Sequence, residues 1–237
     1  MCGKRGFVIY LNLNNNMNTR TALIIGATGL TGEQVLQQLL NNPTYSKVIA
    51  VVRKPLVMQH PKLENLVVDF SKLELYKAQL KADDVYCAIG TTIGKAGSQE
   101  AFKKVDYDYP LQIAELALWN GARRFILVSS MGADAKSGIF YSRTKGELEE
   151  AIKALRYEAV IIFRPSILLG DRKEQRTGEE IGRFVAEKLS FLFAGPLKAY
   201  KGTPVDMLAE QMVKLGTGTE KGNRVVENAE IFELAGK

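Results

Sequence analysis

The chain has 237 residues, which is enough for one α/β domain with a sizeable core. Its composition, 46% hydrophobic and 24% charged, is ordinary for a globular protein, and no apolar run approaches the length of a membrane-spanning helix. The net charge of +6 comes from basic residues scattered among acidic ones, without the basic stripe and aromatic partners typical of nucleic-acid binding. We therefore expect no nucleic-acid and no membrane partner.

Cysteine and histidine are both scarce in this sequence. The two cysteines, Cys2 and Cys87, lie far apart and do not resemble a disulfide framework, which favours a reducing, cytoplasmic location. The single histidine, His60, argues against a His-rich metal site. We expect no bound metal.

The N-terminal segment differs from the rest of the chain. A short apolar run, Phe7–Leu11, follows two basic residues, but it is too short for a signal peptide and no small-residue cleavage site follows it. Asn12–Asn18 is polar and of low complexity, and it contains Met17, an alternative start. We interpret residues 1–19 as a disordered extension and residues 20–237 as the folded domain.

Strand and helix patterns alternate from Thr21 to about Leu169, which is typical of a parallel, doubly wound sheet. Apolar runs predict strands at Ala22–Ile25, Lys47–Val52, Leu66–Asp69, Val85–Ile89, Arg124–Val128 and Ala159–Phe163. Helical spacing predicts a helix that buries Val35, Leu36, Leu39 and Leu40, and further helices at Leu73–Leu80, Phe102–Asn120 and Tyr141–Leu155. The predicted fold class is α/β, a single domain with a doubly wound parallel sheet.

The alternation breaks down in the C-terminal third, residues 171–237. We expect this region to lie over the carboxyl ends of the strands, on the substrate side, where ligands bind in such sheets. Its predicted parts are a charged flexible loop at Asp171–Thr177, a helix at Glu179–Phe193, a helix at Pro204–Leu215, and one or two strands within Arg224–Leu234.

A glycine-rich turn follows the first predicted strand. Thr21–Gly32 reads T-A-L-I-I-G-A-T-G-L-T-G, with glycines at Gly26, Gly29 and Gly32, and it continues into the first predicted helix. Strand, glycine turn and helix form the arrangement that a dinucleotide pyrophosphate requires, because the glycines let the backbone approach the phosphates and the helix start offers unpaired N–H groups. The alternative is an ordinary strand–helix connection that happens to be rich in glycine.

Two polar positions follow the second and third predicted strands. Arg53 and Lys54 stand where an NAD-preferring site usually has an acid for the ribose 2′-hydroxyl, and an arginine can instead pair with a 2′-phosphate. This favours NADP(H) over NAD(H); the alternative is a solvated basic turn. Asp69 is placed either to accept a hydrogen bond from the adenine amino group or to cap the next helix.

A tyrosine and a lysine share one face of a predicted helix. Tyr141 and Lys145 are four residues apart, and the helix follows the serine pair Ser129–Ser130 at the end of the fifth predicted strand. An ammonium about 4 Å from a phenolate stabilises it by about 4 kcal/mol at an effective dielectric constant near 20, which is enough for acid–base chemistry near neutral pH. A serine at that strand end can hydrogen-bond a reacting carbonyl or hydroxyl oxygen.

These residues resemble the short-chain dehydrogenase/reductase superfamily, in its atypical branch, and more closely the TIP30-like group of NADPH-binding proteins. The resemblance covers almost the whole chain beyond Thr21, and its individual motifs are loose but occur together in one order. The matching stretches are Gly26–Gly32, Val68–Phe70, Gly90–Thr92, Gly94–Gly97, Val105–Tyr109, Ser129–Asp134, Tyr141, Lys145–Glu147 and Phe163–Glu179.

The resemblance implies a role for each matching residue. Tyr141 would be the proton donor or acceptor, Lys145 would assist it and bind the nicotinamide ribose, and Ser130 would orient the reacting oxygen. NADPH would be held by Gly26, Thr28, Gly29, Leu30, Thr31, Gly32, Arg53, Lys54, Asp69, Gly90, Lys145, Pro165, Ile167 and Leu168. Two positions depart from the wider superfamily: Tyr141 follows Ser130 after only 11 residues, and Asp106 stands where many extended members have asparagine.

The sequence therefore predicts an NADPH-dependent oxidoreductase that transfers hydride to or from a small carbonyl or alcohol substrate. The alternative is an NADPH-sensing regulatory module with a protein partner and little or no turnover. We expect a monomer or a homodimer.

Overall fold

Seven parallel strands form the central sheet of the computed structural model, which describes residues 19–170 and 201–236. Their order across the sheet is β3-β2-β1-β4-β5-β6-β9, and every neighbouring pair is parallel. A separate parallel pair joins β7 to β8. The strands are β1 Arg20–Ile25, β2 Tyr45–Val52, β3 Leu63–Val67, β4 Asp84–Cys87, β5 Arg124–Val128, β6 Ala159–Arg164, β7 Leu168–Leu169, β8 Thr203–Pro204 and β9 Gly222–Glu227.

Helices cover both faces of the sheet. The α-helices are α1 Leu30–Asn41, α2 Ile93–Ala96, α3 Gln99–Lys103, α4 Tyr109–Trp119, α5 Phe140–Ala154, α6 Val205–Thr217 and α7 Asn228–Leu234. A 3-10 helix spans Phe70–Gln79, and a π-helical turn, Lys104–Asp108, joins α3 to α4. The order of the first six strands and the helices on both faces are those of a doubly wound, Rossmann-like domain, which confirms the predicted fold class.

The two faces of the sheet carry separate hydrophobic cores. Along β1, Ala22 and Ile24 belong to the core that also contains α1 and α6, whereas Leu23 and Ile25 belong to the core that contains α4 and α5. Successive side chains of a strand point to opposite faces, so a strand covered on both faces is apolar throughout. This explains why the central strands were readable as continuous apolar runs.

The strand predictions are accurate in the centre of the sheet and shifted at its edge. The fifth strand has the predicted bounds, Arg124–Val128. The third lies at Leu63–Val67 instead of Leu66–Asp69. Because β3 is an edge strand, its first half includes the polar Glu64 and Asn65, and the apolar run marks only its end.

The described part of the C-terminal third contributes to the sheet itself. Helix α6, predicted at Pro204–Leu215, packs against α1, and β9 pairs in parallel with β6 as the seventh strand. The prediction of one or two strands up to Leu234 is partly wrong, because Asn228–Leu234 is helical. The loop predicted at Asp171–Thr177, the helix predicted at Glu179–Phe193 and the extension of residues 1–18 lie outside the described residues.

Candidate functional site

The predicted site residues lie along one edge of the sheet. Each follows the carboxyl end of a different strand: Gly26 follows β1, Arg53 follows β2, Asp69 lies just beyond β3, Gly90 follows β4, Ser130 follows β5 and Pro165 follows β6. Neighbouring parallel strands end at the same edge, so the sheet places these six positions along one edge.

The glycine turn is shaped by close backbone contacts. Gly26 has φ of 86°, and a Cβ atom there would lie 2.5 Å from the backbone of Ala88 and Ile89, at the end of β4. A Cβ atom on Gly32 would collide with the carbonyl group of Gly26. These two positions therefore require glycine, and they bring the start of α1 directly against the ends of β1 and β4.

The start of α1 has the properties of an anion site. Its N-cap residue is Gly29, which has no side chain to cap the helix. The hydroxyl oxygen of Thr31 is buried and has no hydrogen-bond partner in the described part of the chain, whereas Thr28 and Gly29 are exposed. Free N–H groups, the positive end of the helix dipole and this unpaired hydroxyl fit the pyrophosphate of a dinucleotide.

Arg53 and Lys54 project from the sheet edge beside the glycine turn. Both are exposed, and within residues 19–170 and 201–236 neither forms a hydrogen bond or an ion pair. Both cations follow β2, and β2 pairs directly with β1, the strand that leads into the glycine turn. Two cations that no described acid neutralises fit an additional phosphate on the cofactor.

Asp69 caps the 3-10 helix. Its Oδ1 atom accepts hydrogen bonds from the amide of Ser71 at 2.9 Å and from the hydroxyl of Ser71 at 2.7 Å. These bonds favour the ionised form and lower the pKa of Asp69. Asp69 thus caps the 3-10 helix in the structure, and its contact with the adenine amino group stays a prediction.

The two serines after β5 have different surroundings. The hydroxyl of Ser129 donates to the buried carboxylate of Glu149, which also receives two hydrogen bonds from Arg164. The hydroxyl oxygen of Ser130 is buried and has no partner among the described residues. Within the described residues the hydroxyl of Ser130 is therefore available for a bound group, and its role in orienting a substrate oxygen stays a prediction.

Helix α5 presents Tyr141 and Lys145 on one face. The ring of Tyr141 is half-buried and packs against Phe102, with 5.6 Å between ring centres. Lys145 is almost fully buried, and its Nζ atom lies 2.6 Å from Oδ1 of Asp106. Burial alone lowers the pKa of Lys145, but the Asp106 carboxylate, with the Tyr141 phenol, outweighs that effect and raises the pKa above its usual range.

The segment after β6 closes the site on the side of Ser130. The carbonyl oxygen of Pro165 accepts a hydrogen bond from the amide of Met131 at 2.9 Å, and that of Ile167 accepts one from Thr203. Leu168 begins β7, so Pro165, Ile167 and Leu168 are held next to the loop that carries the serines.

Sequence reasoning missed three charged residues, of which Asp106 and Glu149 are buried and Arg164 is partly exposed. Asp106 was noted only as a departure from the superfamily pattern, and Glu149 and Arg164 were not singled out. Buried Glu149 anchors both Ser129 and Arg164, so it fixes the end of β5, helix α5 and the end of β6 to one another. Little in the sequence pointed to these partners, because a single acidic residue at such a helix position is also common on solvent-exposed helix faces.

No metal-binding group was found within residues 19–170 and 201–236: these residues hold no cluster of three or more His, Cys, Asp or Glu suited to a metal ion. The helices of the same residues are too short or too polar to cross a membrane.

The sequence profile of the NAD(P)H-binding family matches residues 26–179. The chain belongs to this NAD(P)-binding family. Rat (Rattus norvegicus) protein HTATIP2 is 36% identical over 222 residues, which covers 92% of this chain and 90% of the rat protein. The FMP52 protein of Eremothecium gossypii is 33% identical over 217 residues, which covers 90% and 96% of the two chains. The predicted resemblance to the TIP30-like group is confirmed.

Solved structures confirm the fold. WbmH of Bordetella bronchiseptica, determined in complex with NAD+, is similar with a TM-score of 0.67 at 15% identity, over 88% of this chain and 76% of WbmH. MoeE5, determined with UDP-glucose and NAD, has a TM-score of 0.65 at 18% identity, over 91% of this chain and 82% of MoeE5. Together with the family match, these likenesses show an NAD(P)-binding, Rossmann-like fold.

The predicted cytoplasmic location is contradicted by the comparison. The FMP52 proteins of Eremothecium gossypii and of Candida albicans, the latter 37% identical over 214 residues, are both named as mitochondrial. The physical reason for the error is that a low cysteine count reports only that a compartment does not favour disulfides, and does not say which compartment it is.

Proposed function

We propose that this protein is an NADP(H)-dependent oxidoreductase that acts on a small carbonyl or alcohol substrate. The observation that carries the proposal is the buried hydroxyl of Ser130, which has no partner among the described residues, at the same sheet edge as the Tyr141–Lys145 face of α5 and the glycine turn. A serine hydroxyl, a phenol and an ammonium are the groups that acid–base chemistry at a carbonyl oxygen requires.

The cofactor would lie across the sheet edge, with its pyrophosphate at the start of α1. Gly26, Gly29 and Gly32 would leave room for the phosphates, and the hydroxyl of Thr31 would find a partner there. Arg53, with Lys54, would bind the 2′-phosphate. When bound, the nicotinamide supplies or accepts the hydride.

The chain's own residues would manage the proton and the position of the substrate. Tyr141 would give its phenolic proton to the reacting oxygen in reduction, or take one in oxidation, and Ser130 would hold that oxygen in place. The ammonium of Lys145 would stabilise the phenolate that forms when Tyr141 gives up its proton. This stabilisation is strong only in a site from which water is largely excluded, since an ion pair at about 4 Å contributes only about 1 kcal/mol in bulk water.

The Tyr141→Phe variant tests this assignment. We expect loss of turnover with NADPH and a carbonyl substrate, because phenylalanine has no phenolic proton to transfer. The substitution keeps the aromatic ring and its packing against Phe102. NADPH affinity should be largely unchanged. Tyr107→Phe is the matched control, since the hydroxyl of Tyr107 makes no hydrogen bond to a described residue. Full activity in Tyr141→Phe would remove Tyr141 from the mechanism.

A second function belongs to a different class and is favoured by one observation. The carboxylate of Asp106 already balances the charge of Lys145 at 2.6 Å, which partly cancels the field that the ammonium exerts on Tyr141. Such a site could bind NADPH without efficient turnover and report its presence to a protein partner. No NADPH oxidation across a panel of aldehydes and ketones, together with tight NADPH binding, would favour this regulatory function.

A further inference from the structure

The π-helical turn Lys104–Asp108 carries one carboxylate into the protein interior. The side chain of Asp106 has no exposed surface, whereas Asp108, in the same turn, is exposed. Single π-helical turns between α-helical segments are rare overall, and those that occur often lie at functional sites. The turn therefore buries the carboxylate of Asp106, and not that of Asp108, and a buried carboxylate needs a partner of opposite charge.

Asp106 contacts two other parts of the site. Its Oδ1 atom lies 2.6 Å from Nζ of Lys145 on α5, and its Oδ2 atom accepts a hydrogen bond from the amide of Thr91 at 2.8 Å. A Cβ atom on Gly90 would lie only 3.2 Å from Oδ1 of Asp106, so the loop after β4 passes directly over the pair. The π-helical turn, α5 and the loop after β4 meet at this one carboxylate.

In the described part of the chain, three titratable groups face the ammonium of Lys145. They are the carboxylate of Asp106 from the π-helical turn, the phenol of Tyr141 from α5 and the thiol of Cys87 from the end of β4. Burial raises the pKa of Cys87 to about 12, so this thiol stays neutral. Asp106 is therefore the group that supplies a full negative charge to the buried lysine.

We propose that Asp106 is a positioning residue of this site: it keeps the side chain of Lys145 charged and fixes it beside Tyr141 and under the loop after β4. The pairing itself is independent of the function proposed above, whereas its effect on cofactor binding rests on that function.

Removal of the carboxylate charge changes the protonation of Lys145 in one direction. Without Asp106, burial is the largest influence that remains, and it disfavours the ammonium, so the pKa of Lys145 falls. Asp106→Asn has nearly the same shape and keeps an oxygen for the amide of Thr91. This substitution thus removes the charge with little other change to the loop.

The experiment measures the dissociation constant of NADPH by calorimetry at about pH 7 and about pH 9.5, where the cofactor phosphates stay ionised. In the unmodified protein Lys145 stays charged at both pH values, because its pKa is raised. Between these two pH values, we expect the NADPH affinity of Asp106→Asn to fall about tenfold more than that of the unmodified protein. The reason is that a neutral Lys145 amine binds the anionic cofactor less well than the ammonium does. Asp108→Asn, which removes an exposed charge from the same turn, should behave like the unmodified protein. The same pH dependence in all three proteins would overturn the proposal.

A second measurement covers the case in which Asp106→Asn is too unstable to study. Urea unfolding without cofactor compares the unmodified protein with Asp106→Asn, Lys145→Met and the double variant. Each single variant leaves one buried charge without its partner, whereas the double variant leaves none. We expect the urea midpoint of the double variant to lie above that of Asp106→Asn, and a midpoint at or below that of Asp106→Asn would overturn the proposal.

The two measurements separate this proposal from the function proposed above. If the unmodified protein binds no NADPH, the proposed function fails, and the urea midpoints still decide whether Asp106 and Lys145 act as a pair. If NADPH binds and the pH dependence is unchanged in Asp106→Asn, the proposed function stands and the role of Asp106 is wrong.

Discussion

Gly32 shows how strongly a single residue shapes the cofactor turn. A Cβ atom there would collide with the carbonyl group of Gly26, which is backbone and cannot move without displacing β1 or α1. Gly32→Ala should therefore lower the free energy of unfolding in urea by about 1–3 kcal/mol, the usual cost of overpacking.

The matched control for Gly32→Ala is Gly94→Ala. Gly94 lies on the exposed helix α2, where an added Cβ atom meets no other atom within 4 Å. We expect this change to alter the free energy of unfolding by no more than about 0.5 kcal/mol. Equal urea midpoints for the two variants would contradict the packing described for the turn.

The neighbouring residues Ser129 and Ser130 illustrate how far the sequence predicts the surroundings of individual side chains. Adjacent residues at a strand end point in different directions, so one of the pair had to face away from the site. The family resemblance singles out Ser130 as the functional serine, and among the described residues its hydroxyl is the one of the two without a partner. The sequence did not identify Glu149 as the partner of Ser129, because that contact depends on how α5 packs against β5.

At the scale of elements, the sequence predicts best where both faces of an element are covered. Central strands and the inner face of α1 are apolar for that reason, and their bounds were predicted within about two residues. Besides the shifted edge strand β3, two elements were misjudged. The π-helical turn Lys104–Asp108 leaves no signature in hydrophobic periodicity, and in the segment Asn228–Leu234 the consecutive buried residues Ile231 and Phe232 resembled a strand.

The attachment of α6 to the sheet is tested by a substitution at the opposite edge from the cofactor site. Arg124 donates hydrogen bonds to the carbonyl oxygens of Gly216 and Gly218 at the end of α6. Hydrogen bonds from a charged donor contribute about 1.5–3 kcal/mol, so Arg124→Met should lower the free energy of unfolding by about that amount in urea titrations.

The adjacent Arg123 provides the comparison for Arg124→Met. Its side chain is half-exposed and reaches Asp83 only at 4.0 Å, so Arg123→Met should cost less than about 1 kcal/mol. If both arginine variants unfold at the same urea concentration, the carbonyl contacts of Arg124 do not hold α6 in place.

At the scale of the whole molecule, parallel topology is what assembles the site. The sequence predicted the order of elements and a candidate site residue after each of the first six strands, and the parallel sheet places those residues along one edge. The ion pair of Asp106 and Lys145 could not be predicted in this way. It joins two helical segments that are distant in the chain, and only tertiary packing brings them within 2.6 Å.

The central claim is that this sheet edge binds NADPH through its 2′-phosphate, and calorimetric titration with NADPH and NADH tests it most directly. We expect NADPH to bind at least about tenfold more tightly than NADH, because a charge-assisted contact with Arg53 contributes about 1.5–3 kcal/mol. Arg53→Ala should remove most of that preference, while Arg123→Ala, at the other end of the sheet, should keep it. Equal affinity of the unmodified protein for NADPH and NADH would contradict the account.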